Sequence, residues 1–161
     1  MSNTPIFERA QLFLSALRHC QVLGMSVHSA EPQGLILKLP YSPKIVGNPE
    51  TGVIHGGAIT TLMDTTCGIS TVCALTEFEI CPTLDLRIDY MRPAEPHKDV
   101  FGFAECYRVT PNIIFTRGYA YQDDPNQPIA HVVGTFMRMG KQVGAGKAAE
   151  VALSDKNGGA V

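Results

Sequence analysis

Residues 56–75, reading GGAITTLMDTTCGISTVCAL, constrain the fold more than any other segment. The run is too long for an ordinary strand, so it predicts a helix despite its β-branched residues and Gly68. It is apolar or small on nearly every face. Such a helix has no polar side to offer to water, so other structure must wrap it.

The remaining segments supply the wrapping. Thr83–Met91 alternates, with Leu84, Leu86, Ile88 and Tyr90 on one face and Asp85, Arg87 and Asp89 on the other, and Pro93 ends it. Val100–Val109, Ile113–Gln122 and Ile129–Met139 follow as strands, joined by Thr110-Pro111-Asn112 and by Asp123-Asp124-Pro125-Asn126. Connections this short favour antiparallel neighbours. Ahead of the helix, residues 25–40 split into two strands at Glu31-Pro32-Gln33-Gly34, and Leu35, Leu37 and Leu39 mark a half-buried face. Tyr41 to Val53, with two prolines and two glycines, reads as loop.

Residues 5–23 predict a further helix, with Thr4 as cap, Pro5 in the first turn, Gly24 as the stop, and Phe13, Leu17 and Cys20 as its packed stripe. It reads as a covering helix without chemistry. The fold class is therefore α+β: an antiparallel sheet wrapped around a long central helix, plus an N-terminal helix. Residues 1–140 form one domain, and 141–161 a flexible tail with at most a short helix near Lys147–Leu153.

Charge and cysteine usage narrow the function. With 13 basic and 15 acidic residues the net charge is −2, so no broad field attracts nucleic acid or a membrane. Glu8 and Arg9 interrupt the N-terminal apolar stretch, and no run approaches the ~18 apolar residues of a membrane span. The expectation is a soluble cytoplasmic protein. The five cysteines include no CxxC pair and read as free thiols, and the five histidines form no HxxxH or His/Cys cluster, so no metal is expected.

One charge then stands out. From Thr51 to Thr76 the single Asp, Glu, Lys or Arg is Asp64. Desolvating a carboxylate in an apolar helix costs several kcal/mol, roughly, unless something compensates. A functional role is favoured. The structural alternative is a distant partner such as Arg87, or bonding to a helix hydroxyl such as that of Thr60. At the helix start, Gly56 and Gly57 lack β-carbons and leave their N–H groups open to a ligand, where the macrodipole favours negative charge. Those donors suit an oxyanion hole for an ester or thioester carbonyl; a tight loop-to-helix junction would need the same glycines. Eight residues separate Gly56 from Asp64, about 12 Å at ~1.5 Å per residue, too far for one helix to bring both to one carbonyl. A two-fold dimer in which Gly56 of one chain faces Asp64 of the other resolves the conflict.

These residues also carry a resemblance. Asn48…Gly52-Val53-Ile54-His55-Gly56-Gly57…Leu62-Met63-Asp64 resembles the signature of hotdog-fold acyl-CoA thioesterases, nearest to the phenylacetate-pathway (PaaI-like) branch. Asp89-Tyr90-Met91-Arg92-Pro93-Ala94 is similar to that branch's strand end, and the likeness covers about residues 22–139. The resemblance implies hydrolysis of a thioester to free acid and CoA, in a homodimer with shared sites or a homotetramer of paired dimers, with coenzyme A present only as part of the substrate. It implies that the Gly56 N–H and the Asn48 side chain polarise the carbonyl, with Gly57 beside them. Asp64 would act as general base or nucleophile. Thr83 would orient the water, although alternation places Thr83 opposite Leu84, away from the row expected on the helix. His55 would shape the loop or assist carbonyl binding. The CoA phosphates need cations, for which Arg92, Arg108, Arg117, Arg138 and Lys141 are candidates, each also readable as a solvated surface charge; Asn112 could add polar contacts at the dimer edge. Two rivals remain: a hotdog dehydratase or hydratase, suggested by Gly47-Asn48-Pro49 followed by a histidine, and a non-catalytic acyl-CoA sensor.

Overall fold

A computed structural model describes residues 5–140. The expected cap at Thr4, the tail with its short helix near Lys147–Leu153, and the candidate cation Lys141 lie outside the described residues.

The central helix, α3, spans Gly56–Ala74, and ten of its residues from Ile59 to Cys73 are buried. Its hydroxyl-rich sequence tolerates burial because the helix satisfies its own side chains. Thr66 Oγ1 donates to the Leu62 carbonyl at 2.6 Å, Ser70 Oγ to that of Cys67 at 2.7 Å, and Thr71 Oγ1 to that of Gly68 at 2.7 Å. No buried side-chain nitrogen or oxygen lacks a partner among the described residues.

The strands are β1 (Ser26–Glu31), β2 (Gly34–Leu39), β3 (Val46–Asn48), β4 (Val53–Ile54), β5 (Thr83–Tyr90), β6 (Val100–Val109), β7 (Ile113–Tyr121) and β8 (Ala130–Met137). Six of them form one antiparallel sheet in the order β1-β2-β6-β7-β8-β5. The alternation in β2 places Leu35, Leu37 and Leu39 fully inside, where they meet Val100, Ala104, Ile114 and Phe136. Gly102 lets α3 approach the sheet: a β-carbon there would lie 2.9 Å from Thr66 Oγ1 and 3.0 Å from Met63 Sδ. No helix among the described residues is long and apolar enough to cross a membrane.

Three expectations need correcting. The N-terminal helical stretch is broken into α1 (Ile6–Ala16) and α2 (Arg18–Val22), with Leu17 extended at φ −91°, ψ 95°. Its buried side chains are Ala10, Leu14 and Cys20. Leu14 and Cys20 would be turned roughly 120° apart on one continuous helix, so the break is what lets both reach the core. The stretch does dock as expected, and Arg9 Nη2 donates to the last-turn carbonyls of α3, Val72 at 2.8 Å and Leu75 at 3.2 Å.

Next, Tyr41–Val53 is more than loop. After a 3₁₀ turn at Pro43–Ile45, β3 and β4 pair as a small ribbon. Its turn is made by Asn48, whose Oδ1 accepts from the Glu50 N–H at 3.0 Å, and by Gly52 at φ 73°.

Finally, β5 does not alternate throughout. Thr83 pairs with Phe136 and Asp85 with Thr135, so Leu84 is an extra residue in the strand. With this bulge the exposed Thr83 aims its hydroxyl at α3, and Leu84 is left 52% exposed.

Candidate active site

His55 caps α3. Its backbone is extended, at φ −63°, ψ 133°, and its Nδ1 accepts from the Gly57 N–H at 2.9 Å. An accepting Nδ1 leaves the proton of the neutral ring on Nε2. The Gly57 N–H is thereby consumed. Of the two expected oxyanion donors only Gly56 is free: its N–H precedes the helical ladder and donates to no group among the described residues.

The ribbon that carries Asn48 packs beside His55. The His55 N–H donates to the Ile45 carbonyl at 2.8 Å, and a β-carbon on Gly47 would come within 2.9 Å of His55 Cα. Strand β3 thus lies against the helix start. Because Asn48 Oδ1 is occupied by the Glu50 N–H, the amide's NH₂ is the end available to a ligand. A groove of about 460 Å³ opens beside this corner, lined by His19, Leu23, Lys44, Ile45, Gly47, His55, Gly57 and Thr61 among others. His19 and Lys44 were not singled out by sequence; their only signal is a basic side chain within segments that read as covering helix and loop.

Asp64 lies two turns further on and is half-buried. Neither structural alternative holds it. Arg87 is paired with Asp89 at 3.0 Å, and Thr60 bonds to the Gly56 carbonyl and the Tyr90 hydroxyl. The partner of Asp64 is Thr83, whose Oγ1 donates to Oδ1 at 2.9 Å. The β5 bulge therefore overturns the parity argument against Thr83. At the other end of β5, Tyr90 donates to the Gly56 carbonyl at 2.6 Å. Sequence reasoning gave Tyr90 no site role, since its place in the alternating row made it a packing residue.

The candidate cations are dispersed. Arg92 is half-buried just beyond Tyr90, with Nη2 on the Gln127 carbonyl at 2.7 Å. Arg117 lies on the sheet face turned away from α3, in register with Glu105 and Val133, bonded to Glu105 at 2.6 Å and stacked over Tyr107. Strand parity places it there. Arg138 forms a two-pronged pair with the buried Glu79 and also donates to the Thr110 carbonyl at 3.1 Å, so its guanidinium serves the fold. Asn112 is exposed in the β6–β7 turn, at the sheet end nearest Thr83, its carbonyl accepting from the Arg138 N–H at 2.8 Å.

Thiol nucleophiles are disfavoured. Burial pushes the Cys67 thiol up to about 12 and those of Cys73 and Cys106 to about 11. Among the described residues no group of three His, Cys, Asp or Glu side chains could hold a metal ion.

The thioesterase superfamily model matches residues 51–129, a span holding the helix start, Asp64, Thr83 and Tyr90. Over this span the chain belongs to the thioesterase superfamily. Its fold is the hotdog, with the sheet around the long helix. A Pseudomonas aeruginosa crystal structure is 80% identical, covering 84% of this chain and all of that one at a TM-score of 0.79. The medium/long-chain acyl-CoA thioesterase YigI of Escherichia coli K12 is 29% identical over 96 residues, 52% of this chain and 62% of YigI. The E. coli PaaI protein from the phenylacetic acid degradation operon has the same fold at 15% identity, TM-score 0.73, over 84% of this chain and 94% of that one. The chain spans about three fifths of the curated relatives it matches.

Proposed function

We propose that this superfamily member is an acyl-CoA thioesterase of the PaaI-like kind, with Asp64 as general base or nucleophile. The observation that carries the reading is the Asp64–Thr83 pair: a carboxylate in an otherwise uncharged helix whose partner is a hydroxyl and not a cation. A carboxylate locked in an ion pair with arginine would be a poor base; one held by a hydroxyl is aimed without a cation to compete for it. As base, Asp64 takes a proton from water while the oxygen adds to the thioester carbon. The resulting oxyanion is met by the Gly56 N–H and the Asn48 NH₂. The C–S bond then breaks and the proton passes to the departing CoA thiolate. Coenzyme A enters only as part of the substrate, and no other cofactor is used.

The site is shared between protomers of a dimer. β5 is an edge strand of the sheet, and Leu84, Tyr90 and Met91 expose apolar surface along it. Thr83, holding Asp64, is at one end and Tyr90, holding Gly56, at the other. Antiparallel pairing of two β5 strands about a two-fold axis brings the Asp64 end of one protomer to the Gly56 end of its partner. The name of YigI supports an aliphatic acyl chain of medium or greater length as a first substrate to try.

The hydratase reading is weaker on geometry. His55 spends Nδ1, the lone pair of its neutral ring, on the helix cap, so it has no free nitrogen with which to accept a proton. Purified protein should release free CoA from medium-chain or aryl acyl-CoA, followed by thiol appearance. Asp64→Asn should lower kcat by roughly 10²–10⁴-fold. A folded variant with undiminished turnover sinks the assignment. Hydration of an enoyl-CoA without thiol release would point to the hydratase, and tight binding without product to a sensor.

A further inference from the structure

We infer that Tyr90 is a positioning residue for catalysis, bracing the Gly56 carbonyl and so, through the Gly56 α-carbon, the adjoining His55–Gly56 peptide whose N–H points where the thioester oxygen becomes charged. This rests on the reading of Gly56 as the carbonyl-polarising group. Gly56 has no side chain through which packing could fix it, and its N–H lies ahead of the first intrahelical bond. A donor so placed is only as well aimed as the groups that hold its residue.

Those groups form a closed triangle. The Tyr90 hydroxyl donates to the Gly56 carbonyl at 2.6 Å and lies 2.8 Å from Thr60 Oγ1, which is itself 3.1 Å from the same carbonyl. The tyrosine ring also covers Gly56: a β-carbon there would meet the Tyr90 hydroxyl at 3.4 Å and its ring at 3.5 Å. Tyr90 is in turn fixed, because it pairs with Ala130 and the next residue, Met91, donates its N–H to the Ile129 carbonyl at 2.9 Å. A tyrosine that is 50% exposed contributes little to the core; its hydroxyl is spent on one backbone carbonyl at the site. The same strand holds Asp64 through Thr83, so β5 sets the position of both halves of the machinery.

A hydrogen bond from a preorganised donor acts in the transition state, and a misplacement of about 1 Å can cost ~10²-fold in rate. Tyr90→Phe keeps the ring over Gly56 and removes the hydroxyl. The expected result with an acyl-CoA thioester is a roughly tenfold fall in kcat with KM within about twofold of wild type. Thr60→Val, which removes the other hydroxyl of the triangle, should lower kcat by about threefold in the same pattern. Sites are counted by stoichiometric titration with a non-hydrolysable thioether analogue, so that a loss of folded protein is not read as a loss of rate. Unchanged kcat in Tyr90→Phe overturns the proposal. So does a raised KM at constant kcat, which would make Tyr90 a substrate contact, or a fall in kcat matched by an equal loss of titratable sites, which would make it a packing residue. If the wild-type protein releases no thiol, the failure belongs to the functional reading itself; an active wild type with an indifferent Tyr90→Phe refutes only the positioning role.

Discussion

Gly56 permits an unusually clean chemical deletion. Proline is tolerated at the first position of a helix, where the missing N–H has no helical partner. The residue before a proline must be extended, and His55 already is, at φ −63°, ψ 133°. A β-carbon at position 56 meets nothing nearer than the Tyr90 hydroxyl at 3.4 Å. Gly56→Pro should therefore keep its melting temperature and far-UV spectrum while kcat falls by roughly 10²–10³-fold. Turnover within about threefold of wild type would remove this N–H from the mechanism. Single residues were legible in sequence to the extent that charge marked them. Asp64 was visible because nothing else charged lies near it, whereas Gly56 and Gly57 looked equivalent until the His55 ring was seen to occupy one of their two donors. Tyr90 and Thr83 were obscured by alternation, which reports a face but neither a bulge nor a hydroxyl's partner.

Between elements, the tightest contact is at Gly118. It pairs with Ala104 across β6 and β7, and a β-carbon on it would lie 2.0 Å from the Phe103 carbonyl oxygen and 3.0 Å from Ala104 Cα. Both obstacles are backbone, so the strands themselves would have to part. Overpacking of this kind costs about 1–3 kcal/mol, and a backbone clash belongs at the upper end. Gly118→Ala is expected to lower the melting temperature by roughly 5–10 °C in a calorimetric scan; an unchanged transition would mean that β6 and β7 are not in this register. The strands and α3 were readable because burial imposes a period on their sequences. The break at Leu17 was not, since no glycine or proline marks it and its cause is the separate demand of Leu14 and Cys20 for the core. The β3–β4 ribbon is hidden for a related reason: its strands are only three and two residues long, too short for alternation to show.

For the molecule as a whole, the proposed sharing of the site makes a quantitative prediction that a self-contained site does not. Asp64→Asn and Gly56→Pro would each be inactive as homodimers, because every site in them lacks one of its two halves. If the variants are mixed in equal amounts, unfolded together and refolded, random pairing makes about half of the dimers mixed. In a mixed dimer one site takes intact Gly56 from the Asp64→Asn chain and intact Asp64 from the Gly56→Pro chain. The other site inherits both defects. Half of the sites in half of the dimers should work, so the mixture should recover about a quarter of wild-type turnover, at the wild-type KM. Were Gly56 and Asp64 to act within one chain, no pairing could bring intact groups together and the mixture would stay as inactive as its parents. Co-refolded wild type supplies the reference for recovery. The result depends on protein concentration in a known direction: dilution below the dimer dissociation constant removes the recovered activity along with that of the wild type, tying catalysis to the pairing of β5 edges.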